Sequence, residues 1–269
     1  MNRIVNSLIY MYGIVSADAP DPPGELAGLD GCPIELVRVG DLAAIVSEVP
    51  HELYSDTALN GRLNDLAWVG ERGLAHEGVL DWFSEHTPTI PLSLFSLHTS
   101  RERLQSRIAA ESFDFLRILE RLRGKKEWGI KLWRKDAEAR EGIDRLSPSL
   151  QELAKQIEAA PEGRRFLLER KRESMRVEEL RAVSKRVAHD VFAALRAHAD
   201  AGATVPLPGT PSSVERVPLL HAAFLVHEAS FGGFQQAVTN EAGRLAGSGF
   251  ELEFTGPWPP YHFSSLDDE

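Results

Sequence analysis

The chain has 269 residues, with 30 Lys+Arg against 40 Asp+Glu, a formal net charge of -10, and 43% hydrophobic residues. That length allows one large domain or two ordinary ones, each able to bury a core without staples, and the composition excludes wholesale disorder, collagen-like repeats and a pure coiled coil. The acidic balance excludes non-specific affinity for nucleic acid or anionic lipid, because both need Lys and Arg to neutralise phosphate.

Residues 7–15 alternate and are rich in β-formers, predicting a strand. The following Asp18-Ala19-Pro20-Asp21-Pro22-Pro23-Gly24 predicts an exposed loop. Residues 34–39 and 42–46 flank Gly40-Asp41, a turn pair that suits a tight hairpin and hence a small antiparallel sheet. Over 62–83 the recurrence of Leu63, Leu66, Ala67, Leu74 and Phe83 predicts one helix, closed before Pro88. Residues 89–97 alternate at period two, with Pro91 restricting them to an edge. Ser100 can cap a further helix whose buried stripe is Leu104, Ile108, Phe115, Leu119 and Leu122, ended by Gly124.

The alternation of 127–133 predicts a strand that opens a second domain, 126–269, after a first of 1–125. Residues 136–199 are dense in Arg, Glu, Lys and Ala, with Leu180, Val183, Val187, Val191 and Leu195 on one face of a long helix; a helical pair joined near Pro161-Glu162-Gly163 is expected. A loop at 201–211, a strand at 219–226, a helix at 234–245 and a strand at 250–254 follow. This β-αα-β-α-β order suits a helix-covered antiparallel sheet of the ferredoxin-like kind, so the fold class is α+β. No stretch approaches the ~20 apolar residues that cross a bilayer, and no secretory leader is expected from the mixed run after Arg3.

Chemistry-bearing patterns are sparse. Cys32 is the one cysteine, which excludes an internal disulfide and fits a reducing, cytoplasmic setting. His76, His86 and His98 share a stretch with Glu77, Asp81 and Glu85, yet none forms the i, i+4 pair of a helical metal site. Gly247-Ser248-Gly249 lacks the spacing of a nucleophile elbow. No catalytic residue, cofactor or metal ligand is therefore expected; the competing reading is a small-molecule or metal-dependent enzyme using His76, Glu77 and His86. The basic run around Arg164, Arg165, Arg170, Lys171 and Arg172 is interleaved with Glu and reads as a solvated helix face.

The most unusual segment is Gly256-Pro257-Trp258-Pro259-Pro260-Tyr261-His262-Phe263. Its three prolines restrict φ, so it orders at little entropic cost, and its aromatic rings offer large contact areas. It reads either as a strap closing over the last strand or as a surface that binds another protein through Trp258, Pro259, Pro260, Tyr261 and Phe263.

At this segment the chain resembles the gas vesicle GvpL/GvpF accessory-protein family. The likeness includes Tyr10-Met11-Tyr12-Gly13-Ile14-Val15, Asp41-Leu42-Ala43-Ala44-Ile45-Val46-Ser47-Glu48, His76-Glu77-Gly78-Val79-Leu80, Thr89-Ile90-Pro91-Leu92 and Glu127-Trp128-Gly129-Ile130-Lys131-Leu132. It departs from the family pattern at Ser93-Leu94-Phe95-Ser96, where the family continues Arg-Phe-Gly-Thr, and at Phe166-Leu167-Leu168-Glu169-Arg170. The resemblance implies a cytoplasmic, gas-vesicle-associated minor component or assembly factor without catalytic activity. It also implies an N-terminal α+β domain, a modified ferredoxin-like C-terminal domain and long helices bridging them. The implied partners are the hydrophobic shell protein, whose aggregation it would limit, and other accessory proteins; neither nucleic acid nor membrane is among them.

Overall fold

The structure, a computed structural model, describes residues 7–207 and 216–265. The chain divides into two units, one formed by Met1–Glu127 together with Trp258–Glu269 and the other by Trp128–Pro257.

In the first unit β1 (Ser7–Ser16) lies between strands on both edges, which is why eight of its ten residues are buried. The predicted hairpin forms from β2 (Glu35–Val39) and β3 (Leu42–Pro50), with Val39 opposite Leu42 and Gly40 in the left-handed conformation (φ 59°) that such a turn needs. The β1–β3 register shifts between Met11 and Gly13. This bulge changes the parity of the strand: Leu8, Tyr10, Tyr12 and Val15 enter one core, while Met11 and Ile14 meet Leu104, Ile108 and Phe115 on the other side. Two short helices, α1 (His51–Tyr54) and α2 (Asp56–Arg62), lead into α3 (Leu66–His86).

The helix expected over 62–83 therefore starts later, at a cap in which the Asp65 carboxylate accepts from the backbone N–H groups of Ala67 and Trp68 at 3.2 and 3.1 Å. Its stripe is also rotated. Leu63, Leu66 and Leu74 are 48, 84 and 78% exposed, while Arg72, His76, Val79, Leu80 and Phe83 face inward. The cause lies beneath the helix, where tyrosine hydroxyls and Asp30 offer polar partners to Arg72 and His76.

The strand expected over 89–97 splits into β4 (Ile90–Pro91) and β5 (Leu97–His98), each pairing with β1. The loop between them bends away at Phe95, whose φ of 67° is left-handed. Phe95 occupies the position at which the family pattern has glycine, and its ring stacks on Trp68 at 5.6 Å. The expected result is that Phe95→Gly is more stable than Phe95→Ala by about 1 kcal/mol, the reverse of the usual order, because both lose the ring and only glycine relieves the strain. Urea unfolding of the two variants checks it; equal midpoints would show that the backbone is unstrained there. The remaining helix is broken at Glu111 into α4 (Arg101–Ala110), capped by Ser100 as expected, and α5 (Ser112–Leu122).

The second unit takes β6 (Lys125–Lys135) from Trp128 onward, α6 (Asp136–Leu146), α7 (Pro148–Glu158), α8 (Glu162–Arg196), β7 (Ala201–Thr204), β8 (Arg216–His227), α9 (Phe231–Leu245) and β9 (Phe250–Trp258) as far as Pro257. Three helices stand where a pair was expected, because Pro148 begins a new helix capped by the Ser147 hydroxyl. All three fall within the second unit. The inward face of α8 is the predicted Leu180, Val183, Val187, Val191 and Leu195, packed with Ile130, Leu132, Phe224 and Phe234. The segment expected to be a loop from residue 201 begins as β7, paired antiparallel with β8 from Ala201↔Leu225 to Thr204↔Ala222; its part beyond 207 lies outside the described residues. Ala-Gly-Ala-Thr carries few strand-forming side chains, but a Cβ at Gly202 would fall 2.8 Å from Arg196 and 3.1 Å from Phe224, so close packing explains the small residue. With β7 the order becomes β-ααα-ββ-α-β and the sheet reads β7-β8-β6-β9, a ferredoxin-like arrangement with an added helix pair.

Candidate functional site

The first unit is built around two tyrosines of β1, both wholly buried. Each hydroxyl accepts once and donates once. Tyr12 accepts from the Leu29 N–H at 2.9 Å and donates to Ser47 Oγ at 3.1 Å, and Ser47 donates to the Pro33 carbonyl at 2.9 Å. A side chain at Gly28 would lie 2.1 Å from the Tyr12 hydroxyl, so only glycine fits there. Tyr10 accepts from the Phe95 N–H at 3.1 Å and lies 2.8 Å from His76 Nδ1. His76 Nε2 is 3.0 Å from the Leu92 carbonyl, which can only accept. That fixes the tautomer: the proton is on Nε2, and Nδ1 receives the Tyr10 O–H. Burial lowers the His76 pKa to about 4 and raises that of Tyr10.

Alongside, Arg72 pairs with Asp30 Oδ1 and donates from Nε to the Tyr54 hydroxyl at 3.2 Å, while Tyr54 donates to Asp30 Oδ2 at 2.6 Å. The guanidinium lies 4.2 Å from the Trp68 ring centroid. Burial and the Asp30 carboxylate both raise the Tyr54 pKa. Asp30 sits at φ 52°, a conformation that Asp adopts more readily than most residues. This cluster ties residues 28–33 to the helix without presenting a reactive group; the Cys32 thiol beside it has its pKa raised by burial, which favours the inert form.

The closing segment was expected with the second domain; its contacts place it in the first unit. The reason is three polar anchors. Tyr261 donates to Glu77 Oε1 at 2.8 Å; Glu127, 3% exposed, meets the His262 N–H at 3.0 Å and Nδ1 at 2.6 Å; and Arg121 binds the carbonyls of Phe263 and Ser265. Pro259, Pro260 and Phe263 are buried, Tyr261 is half-buried, and Trp258 is 47% exposed. Of the five residues singled out for partner binding, Trp258 is the one that presents a large apolar surface.

His76, Glu77 and His86 do not form a common site. His76 is committed on both nitrogens, Glu77 accepts from Tyr261, and His86 stacks on Trp82 at 4.3 Å with Nδ1 2.6 Å from the Trp82 carbonyl. Ten residues separate the two histidines along one helix, about 15 Å. Among the described residues no group of three or more His, Cys, Asp or Glu is placed to hold a metal ion.

What the molecule offers instead is apolar surface. On α5, Phe113 is 71% exposed and Leu116 follows at i+3, with the Arg117 guanidinium 5.9 Å from the Phe113 ring. Sequence reasoning missed this pair because it counted only the inward stripe of the same helix. In the second unit a cavity of about 340 Å³ is lined by Lys131, Trp133, Pro206, Leu207, Pro218 and His221, its indole N–H held by Glu253 at 3.0 Å. No helix among the described residues is long and apolar enough to cross a membrane.

The chain is 29% identical over 266 residues to gas vesicle protein L of Streptomyces sp. (strain CB03234), covering 97% of this chain and 94% of that protein. It is 23% identical to gas vesicle protein L1 of Halobacterium salinarum, covering 97% and 92%. Its fold is similar to the crystal structure of the gas vesicle protein GvpF from Anabaena sp. PCC7120, with a TM-score of 0.67, 18% identity and coverage of 97% and 99%. The family described as gas vesicle synthesis protein GvpL/GvpF matches residues 8–265. A match of that extent, over both units and the closing segment, makes the chain a member of the GvpL/GvpF family.

Proposed function

We propose that this protein is a non-enzymatic accessory factor that binds the hydrophobic shell protein of gas vesicles and limits its aggregation during nucleation and growth. It acts in the cytoplasm, on or beside the forming vesicle and among other accessory proteins. The observation that carries this reading is the outward apolar turn of α5, Phe113 and Leu116, in a family member with a net charge of -10. Subunits that line a gas space expose apolar surface, and a soluble acidic partner can cover it and keep the complex dispersed. Trp258 is the second contact, held outward by the anchors of the closing segment.

Co-purification with the shell protein tests the proposal. Phe113→Ala with Leu116→Ala is expected to lower capture about tenfold or more, and adding Trp258→Ala to lower it further, with the fold intact by circular dichroism. Full capture by the triple variant removes this surface from the interface. Failure of the unaltered protein to bind the shell protein or to slow its precipitation overturns the function.

A further inference from the structure

The closing segment lies in a cleft of the first unit that fits the same segment of a second copy, and we propose that copies exchange these segments. Two of the three anchors grip main chain. Arg121 on α5 donates to the carbonyls of Phe263 and Ser265. One oxygen of the Glu127 carboxylate accepts the His262 N–H at 3.0 Å, and the other lies 2.6 Å from His262 Nδ1. Beside them Glu77 takes the Tyr261 hydroxyl, the Tyr261 ring packs on the core of the unit, and Phe263 is 3% exposed. A guanidinium and a carboxylate that hold backbone groups, next to seats for two aromatic side chains, make a peptide-binding cleft. Its anchors, Glu77, Arg121 and Glu127, all precede the second unit, whereas the peptide that fills it follows that unit.

A second copy carries the identical segment, so each of these contacts can form between copies with no new complementarity. Pro259 and Pro260 stiffen the segment, which therefore loses little entropy on docking again. Just ahead of it Gly256, at φ 114°, holds a conformation that other residues rarely adopt and is a place where the chain can be redirected. Within one copy the segment docks at an effective concentration of about 1 mM, so exchange competes in that range of protein concentration, and below it where docking in the same copy is blocked. Each copy has a net charge of -10, so exchange works against repulsion and is favoured by salt; a contact driven by opposite charges is weakened by it. The exchange uses neither Phe113 nor Leu116, so it stands or falls separately from shell-protein binding.

Two full-length variants test it by sedimentation velocity. Arg121→Ala with Glu127→Gln spoils the cleft and keeps the segment; Tyr261→Ala with Phe263→Ala spoils the segment and keeps the cleft. Each alone is expected to stay monomeric at about 50 µM, and their equimolar mixture to form a dimer and nothing larger, one copy lending its segment and the other its cleft. The unaltered protein, held at about 1 mM and then diluted, is expected to yield a reciprocally exchanged dimer, more of it at high salt than at low. A mixture that stays monomeric while circular dichroism shows both variants folded overturns the proposal. Should a variant lose its fold, an unaltered protein that yields no dimer at either salt level overturns it, and leaves the segment a strap within one copy.

Discussion

Acidification from pH 7 to pH 4 is expected to remove about 3 kcal/mol of folding free energy through His76 alone. The imidazole is 1% exposed and its pKa falls from 6.5 to about 4 on folding, driven by burial. Between those values the unfolded chain takes up a proton that the folded one refuses. Stability from this residue is therefore complete above pH 6.5 and drains away as the pH drops towards 4. Protonation would put a hydrogen on Nδ1, where the Tyr10 hydroxyl already points its own. Glu77 and Asp81 on the same helix have raised values, chiefly from burial, and act with the opposite sign, losing stability as the pH rises through their folded values. Subtraction separates the two effects. Urea unfolding of the unaltered protein and of His76→Gln, followed from pH 7 to pH 4, should converge as the acid limit is approached; parallel curves would mean that His76 is not held neutral.

Asp30→Asn is expected to cost about 2–3 kcal/mol at pH 7. Removing one partner of a buried pair costs about 3–5 kcal/mol, because the other charge is left uncompensated. The lower figure follows from the 26% exposure of the Asp30 side chain and from Glu71, which stays 3.1 Å from Arg72. Asparagine keeps the left-handed backbone but has one acceptor oxygen where the carboxylate uses two, for Arg72 and for Tyr54, so the cost combines the lost charge with one lost hydrogen bond. Glu71→Gln is the control: its carboxylate is 80% exposed, and its loss is expected to shift stability by less than about 0.5 kcal/mol. Equal urea midpoints for the two variants would show that Arg72 draws nothing particular from Asp30.

What could be read in advance was what neighbouring residues decide among themselves. The Gly40-Asp41 turn, the Ser100 cap and the inward face of α8 are set by spacing within one element, and each formed as expected. The family likeness was legible for the same reason, since its motifs are short runs. The orientation of α3 was not. Counting apolar positions selects Leu63, Leu66 and Leu74, whereas the helix turns Arg72 and His76 inward because their partners, Asp30 and Tyr10, arrive from residues 42 and 66 positions away. Arg72, His76, Val79, Leu80 and Phe83 do share helical spacing, so a search admitting polar residues to the buried stripe would have found that face. β7 escaped notice because Ala-Gly-Ala-Thr is chosen by tight packing on Arg196 and Phe224. The candidate surfaces were the least visible part: nothing local distinguishes an outward Phe113 from an inward Ile118 until the strand beneath is known.

The chain leaves the first unit after Glu127 and comes back to it at Trp258. During translation the carboxylate of Glu127 must therefore wait while 135 further residues are made before the imidazole and amide of His262 reach it. The first unit gains its last contacts only after the whole of the second has been made, so a chain stopped before Tyr261 leaves Glu77, Arg121 and Glu127 without the partners that the closing segment brings.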